Sequence, residues 1–396
     1  MRILHTADWH LGQTFFEYDR SYEHGRFLTW LHEQISETRA DVLLIAGDVF
    51  DTPNPSAASQ QIFYRFLHDA TVRNPDLQIV IIAGNHDSAA RLEAPNPLLE
   101  ELQVTVRGIV HRTPEGELDI ERLIIPLRCR GNVEGYCLAV PYLRQGDYPS
   151  ADSYSQGVAA LYQAVRAKAA EFGKPLIAMG HLQATGSEIS ECDRSERTVI
   201  GGLECVSPDA FATDIRYTAL GHLHRNQRVS GRENVRYAGA PIPMSFAEKN
   251  NRHGVVCIDI LDDDTIIDFK EFAPPVKLCS IQGDVDEVFA RIAELPSGEI
   301  TKESPYLEIK VRLTRPEPSL RAELEAALQG HSVRLTRLVA ETRVSQDNGE
   351  AYIVDKELQE ISPLTIAENY FQSKYGESIP DDMAKLLHQI MQEVSL

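Results

Sequence analysis

Hydrophobic and polar positions along the chain repeat one figure, a short apolar run followed at once by a polar cluster. It appears as Ile3-Leu4 before Asp8 and His10, Val42-Leu43-Leu44-Ile45 before Asp48, Ile79-Val80-Ile81-Ile82 before Asn85, Leu176-Ile177-Ala178-Met179 before His181, and Tyr217-Thr218-Ala219-Leu220 before His222. Such runs are read as buried strands whose C-terminal ends present functional groups. Helix-like stretches separate the first three, for example Arg26 to Thr38 with Phe27, Leu28, Trp30, Leu31 and Ile35 on one stripe. Strands alternating with helices predict an α/β layered domain.

Beyond Tyr237 the pattern turns β-rich. Gly254 to Ile260 and Thr265 to Phe269 predict a hairpin through the acidic turn Asp262-Asp263-Asp264, and Pro274-Pro275 marks a boundary. From about Val276 to about Thr342 the order is strand, helix (Val285 to Leu295), strand (Tyr306 to Leu313), helix (Ser319 to Leu328) and strand (Val333 to Leu338), a small α+β module. From about Ser362 two terminal helices are expected, separated near Gly376 and Pro380. The second bears a stripe of Met383, Leu386, Leu387, Ile390, Met391 and Val394. On periodicity alone, such a stripe packs on its own domain more often than on a partner.

The 396 residues exceed one ordinary core and allow two or three units. With 43% hydrophobic and 25% charged residues, and no apolar run of the roughly 18 residues a membrane span needs, the composition is that of a globular protein rather than a membrane protein. The opening Met1-Arg2-Ile3-Leu4-His5-Thr6-Ala7-Asp8 lacks the character of a secretory leader, so a cytoplasmic location is expected. Cys129, Cys137, Cys192, Cys205, Cys257 and Cys279 form no C-x-x-C pair and are read as reduced structural thiols.

Chemistry concentrates in Asp8-x-His10, Gly47-Asp48, Gly84-Asn85-His86-Asp87, Gly180-His181 and Gly221-His222-x-His224, each just after a predicted strand. Carboxylate, imidazole and amide oxygen together suit divalent transition metals of intermediate hardness. The groups are too many for one ion. Two ions about 3.5–4 Å apart need a bridging carboxylate to lower their repulsion, and Asp48 is the best candidate. Side chains two apart share a face in extended chain, so Asp8 with His10, and His222 with His224, can each reach one ion. The preceding glycines suit turns where backbone approaches the site closely. A single G-H or G-D dipeptide is nearly uninformative; five motifs in this order are not.

The series resembles the calcineurin-like metallophosphoesterase superfamily over Met1 to about Phe272. His5-Thr6-Ala7-Asp8-Trp9-His10-Leu11-Gly12, Ala46-Gly47-Asp48-Val49-Phe50-Asp51, Ala83-Gly84-Asn85-His86-Asp87-Ser88, Ala219-Leu220-Gly221-His222-Leu223-His224 and Gly239-Ala240-Pro241-Ile242-Pro243 are similar to the bacterial SbcD nucleases within it. The resemblance implies a two-layered β-sheet core flanked by helices over residues 1–275, a small α+β capping domain over 276–345 and a C-terminal helical segment over 346–396 that binds an ATPase partner. It implies one metal held by Asp8, His10, Asp48 and His224, a second held by Asp48, Asn85, His181 and His222, and His86 as the acid that protonates the leaving 3′ oxygen.

It further implies Mn²⁺ as the metal, exonuclease action on duplex ends and endonuclease action on single-stranded or hairpin DNA. DNA replication, repair and recombination are the implied settings. The implied partners are an SbcC-like SMC-family ATPase, onto which the Met383 to Val394 stripe docks, and a second copy of the chain within a two-plus-two heterotetramer. A formal charge of −20 is awkward for gripping DNA, and bound cations or a basic partner would supply the missing positive field.

Related archaeal and eukaryotic sequences have histidine where Asp51 stands, so Asp51 is kept out of the catalytic set. Asp87 either orients a metal-ligand histidine or caps the following helix. The competing functions are a small-nucleotide phosphodiesterase or a protein phosphatase on the same metal site, and a non-catalytic assembly subunit.

Overall fold

The computed structural model describes residues 1–188, 205–262, 264–313, 317, 319–343, 353–354 and 383. It contains two compact units, Met1–Lys277 and Leu278–Leu396.

In the first unit the strands are β1 (Arg2–Thr6), the short hairpin β2 (Thr14–Phe15) and β3 (Tyr18–Asp19), β4 (Val42–Ala46), β5 (Gln78–Ile82), β6 (Val104–Arg107), β7 (Ile124–Cys129), β8 (Asn132–Ala139), β9 (Leu176–His181), β10 (Ile215–Gly221), β11 (Gln227–Val229), β12 (Arg232–Tyr237), β13 (His253–Ile260) and β14 (Thr265–Phe272). They form two six-stranded sheets, ordered β14-β13-β1-β4-β5-β6 and β11-β12-β10-β9-β8-β7. Strands β1, β4 and β5 run parallel in the first sheet, and β8, β9 and β10 in the second. Parallel strands of one sheet end along the same edge, which is how residues far apart in sequence come to share a rim.

Alternation along each strand builds the layers. Leu4, Leu43, Ile45, Ile79 and Ile81 pack against the helices Ser21–Thr38 and Ala57–Arg73. The intervening Ile3, Val42, Leu44, Val80 and Ile82 meet Ile177, Met179, Tyr217 and Ala219 of the second sheet. Helix Tyr154–Ala170 covers the outer side of that sheet through Val158, Leu161, Tyr162 and Val165. Both faces of each central strand are thereby dry, and the runs read as continuously apolar. The result is the expected two-layered sheet core flanked by helices.

The fold departs from the sequence reading in three places. The first helix begins at Ser21 instead of Arg26, because its first turn is held by a buried Arg20–Glu23 ion pair (2.7 Å) and by His24, which bonds the Trp9 carbonyl (2.9 Å). Apolar periodicity is blind to such contacts. The β7 and β8 pair joins through Arg130-Gly131, both in the left-handed region (φ 50° and 83°), and an arginine there is a weak turn signal. Hairpin β13–β14 pairs through to Phe272, three residues beyond the expected Phe269.

In the second unit β15 (Leu278–Gly283), β16 (Tyr306–Leu313) and β17 (Arg334–Arg343) are parallel, and β18 (Ile353–Val354) is antiparallel to β17. Helices Val285–Ala293 and Leu320–Ala327 connect the parallel strands and bury Val288, Ile292, Leu320 and Leu324 against Leu307, Ile309 and Val311. Asp284 and Glu287 form a reciprocal capping box at the first of these helices. The expected terminal helices lie outside the described residues, except for Met383, which is exposed.

Cys129, Cys137, Cys205, Cys257 and Cys279 are free thiols, and Cys192 lies outside the described residues. Among the described residues no helix is long and apolar enough to cross a membrane.

Candidate metal centre

The loops after β1 and β4 are stitched together by backbone bonds from Asp8 N to Gly47 O (3.0 Å), His10 N to Asp48 O (3.0 Å) and Leu11 N to Val49 O (2.9 Å). Asp8, His10 and Asp48 each sit in the left-handed region (φ 54°, 47° and 48°), and His222 has φ 100°. Non-glycine residues there store strain on the order of 1–3 kcal/mol each, which persists only where the surroundings over-determine the conformation. Two glycines show how close the packing is: a Cβ at Gly47 would collide with the His181 ring, and one at Gly84 with the Asp48 carboxylate.

All the expected ligands converge. Ligand atoms of Asp8, His10 and His224 lie within 4.8 Å of one another, as do those of Asp8, Asp48 and His181, and those of His10, Asp48 and His86. Asn85 Oδ1 lies 2.9 Å from His181 Nε2 and 3.0 Å from His222 Nδ1. Asp48 Oδ2 stands 3.8 Å from His10 Nε2 on one side and 3.2 Å from His181 Nε2 on the other, the position a bridging carboxylate needs.

The imidazoles are oriented from behind. His181 Nδ1 donates to the Ala46 carbonyl (2.8 Å) and His86 Nδ1 to the Asp51 carbonyl (2.9 Å), since a carbonyl can only accept. His224 Nδ1 lies 3.3 Å from Glu248 Oε1. Each partner leaves the ring's Nε2 as the nitrogen available for a metal or a transferable proton.

The electrostatics are those of buried charges compensating one another. Burial pushes the Asp8 carboxyl up to about 6, against the pull of His181 and His224. Burial also raises Asp48, but His181, His10 and His86 outweigh it and hold that carboxyl well below the usual range. Burial lowers the His181 imidazole, yet Asp48 and Asp8 bring it up to about 9.

Asp8 Oδ2 and His10 Nε2 are buried and make no hydrogen bond among the described residues. Buried polar atoms ordinarily find partners, and a carboxylate oxygen left without a donor is costly. Divalent cations would satisfy both atoms, so the residues present fit a metal pair.

Two further carboxylates flank the site. Asp87 neither orients a metal-site histidine nor caps the next helix, whose N-cap residue Ser88 makes no side-chain bond. It is buried and accepts from Val49 N (3.2 Å), Phe50 N (3.0 Å) and Gly84 N (2.9 Å), tying the loop after β4 to the loop after β5. Burial and the nearby Asp48 charge push its carboxyl up to about 6. Asp51, set aside on sequence, lies against the site: its Oδ1 is 3.2 Å from His10 Nδ1 and its carbonyl holds His86. Glu248 was missed altogether. It lies on a short turn with no motif around it, and only the fold brings it to His224.

A family model described as "Calcineurin-like phosphoesterase" matches residues 1–226, and one described as "Type 5 capsule protein repressor C-terminal domain" matches residues 274–375. Three relatives are named as the SbcD component of the nuclease SbcCD. That of Rhodobacter capsulatus is 41% identical over 355 residues, covering 85% of this chain and 87% of the relative. That of Escherichia coli K12 is 28% identical over 407 residues, covering 98% and 96%. That of Bacillus subtilis is 33% identical over 277 residues, covering 65% and 66%. With candidate metal-ligand groups gathered at its strand ends, the chain belongs to the calcineurin-like phosphoesterases and, within them, to the SbcD family of metal-dependent nucleases.

Proposed function

We propose that this chain hydrolyses DNA phosphodiesters with two divalent ions, Mn²⁺ by preference, as the nuclease component of an SbcCD-type complex. One ion is held by Asp8, His10, Asp48 and His224, the other by Asp48, Asn85, His181 and His222. The observation behind this assignment is the placement of Asp48 between His10 and His181 beside the unbonded Asp8 Oδ2. When bound, such ions activate water and offset charge on the phosphate.

The protein's own part is positioning and proton transfer. Asp51, through its carbonyl, holds the His86 ring so that Nε2 is the nitrogen able to give a proton to the departing 3′ oxygen. The carbonyl of Ala46 and the carboxylate of Glu248 keep His181 and His224 in the tautomer that offers Nε2. His86 also comes near His10 and Asp48. Its assignment as acid instead of ligand therefore predicts that metal content survives its removal.

By the same reading the chain acts on duplex ends as an exonuclease and on single-stranded or hairpin DNA as an endonuclease. Residues 276–345 serve as the capping domain of such a nuclease, and residues 346–396 bind an SbcC-like SMC-family ATPase. The nuclease is a homodimer within a two-plus-two assembly, and basic surface on the ATPase offsets the −20 charge.

The test is Mn²⁺-dependent cleavage of linear and hairpin duplex DNA, with and without the ATPase, beside His86→Ala. Metal-dependent cutting that disappears in the variant while two ions stay bound supports the reading. Hydrolysis of a small diester without any DNA cleavage would replace it with a phosphodiesterase of another substrate.

A further inference from the structure

Arg144 differs from other cations near the centre. Tyr142 N donates to Ala83 O (2.9 Å), fastening the segment after β8 to the end of β5 just before Gly84 and Asn85. The Tyr142 ring meets His181 edge-on, with centroids 6.2 Å apart and an interplanar angle of 76°. The Arg144 guanidinium carbon lies 5.5 Å from the Tyr142 centroid.

Leu143 between them is buried in the core of the second sheet, so Tyr142 and Arg144 project from the opposite face of the chain. Arg225, beside His224, is paired with Glu188, and Arg91, beyond His86, is held by Asn54 and by the Pro53 carbonyl (3.3 Å). Arg144 is exposed, and among the described residues its guanidinium engages the Tyr142 ring and no carboxylate. Asp147, the acid in the same turn, accepts from the backbone N–H of Arg144 (2.7 Å).

We propose that Arg144, steadied by the Tyr142 ring, binds a backbone phosphate of the DNA strand next to the one being cut. The proposal rests on the nuclease reading above. A guanidinium fork matches phosphate oxygens in bidentate fashion, which an ammonium does not. Contact with the ring limits the side chain's freedom before substrate arrives, so less entropy is lost on binding. In a chain of net charge −20, a cation without an acidic partner beside the metal ligands is available to an incoming anion. One aromatic ring separates it from His181, a placement that suits the neighbouring phosphate instead of the scissile one.

The test compares full-length wild type, Arg144→Ala and Arg144→Lys, each loaded with Mn²⁺, on linear duplex DNA and on bis(4-nitrophenyl) phosphate, which has no second phosphate. Wild type that hydrolyses the small diester but leaves DNA intact overturns the nuclease reading, and this proposal with it. Where wild type cuts DNA, Arg144→Ala judges the proposal alone.

The expected result is a rise of about ten-fold in KM for DNA, the size of one charged hydrogen-bonded contact. The dependence of log affinity on log salt should become shallower by about 1. Arg144→Lys should restore the slope and only part of the KM, and the small diester should lose less than DNA does. An unchanged KM and slope in Arg144→Ala would overturn the proposal. Equal losses on both substrates would also overturn it, because Arg144 would then act only by supporting Tyr142 and the metal ligands.

Discussion

The two halves of the proposed metal centre are built differently. Asp8, His10, Asp48 and His224 are all buried, at 0–2% exposure, and are braced by carboxylates: Asp51 against His10 and Glu248 against His224. The other half shares Asp48 and the buried His181, but Asn85 and His222 are half-exposed and His181 is braced by a backbone carbonyl, that of Ala46. A closed, acid-backed half holds an ion as structure does; an open half meets solvent and substrate. This contrast predicts that an ion held by the first set exchanges slowly and one held by the second exchanges faster.

Removing what the halves share should have the largest effect. Asp48→Ala is expected to lose both ions and to drop DNA cleavage beyond the roughly 10–100-fold that loss of an outer partner usually costs. Metal analysis beside a plasmid assay measures this, and retention of one ion with high affinity would break the bridging assignment. His86→Ala comes next: both ions stay while cleavage falls about 10²–10⁴-fold, the usual worth of a positioned acid. Loss of an ion in that variant would make His86 a ligand.

Glu248→Gln tests the contrast itself. It should weaken the buried half by about 10–100-fold, seen as one of two binding isotherms shifting while the other holds. Equal shifts in both would show that the halves do not differ in the way proposed. The smallest effect is kinetic: a chelator should strip the wild-type protein in two phases, and Asn85→Ala should remove the faster one. A single phase would erase the distinction between open and closed halves.

Legibility followed range along the chain. The five apolar runs are strands, with Ile3, Val42 and Val80 turned to the opposite sheet and Leu4, Leu43 and Ile79 to the helices. Short polar motifs directly behind them were readable because the strand end determines where the next two or three side chains go. The start of the first helix was misread because it depends on a buried ion pair, Arg20–Glu23, and on the Trp9 carbonyl rather than on periodicity. The work of Asp87 stays open on sequence, since two of the N–H groups it accepts from are at Val49 and Phe50, in another loop.

The sequence by itself determined the layered α/β class, the strand ends as the candidate site, the residues proposed as ligands and the chemistry they suit. Tertiary structure alone decided which groups stand behind them: Glu248 behind His224, 24 residues away, Asp51 behind His86, 35 away, and Ala46 behind His181, 135 away. Local pattern reports burial and backbone direction, properties of a few neighbouring residues. A hydrogen bond between distant segments depends on how strands are ordered, how sheets stack and where loops meet, and that relation has no period along the chain.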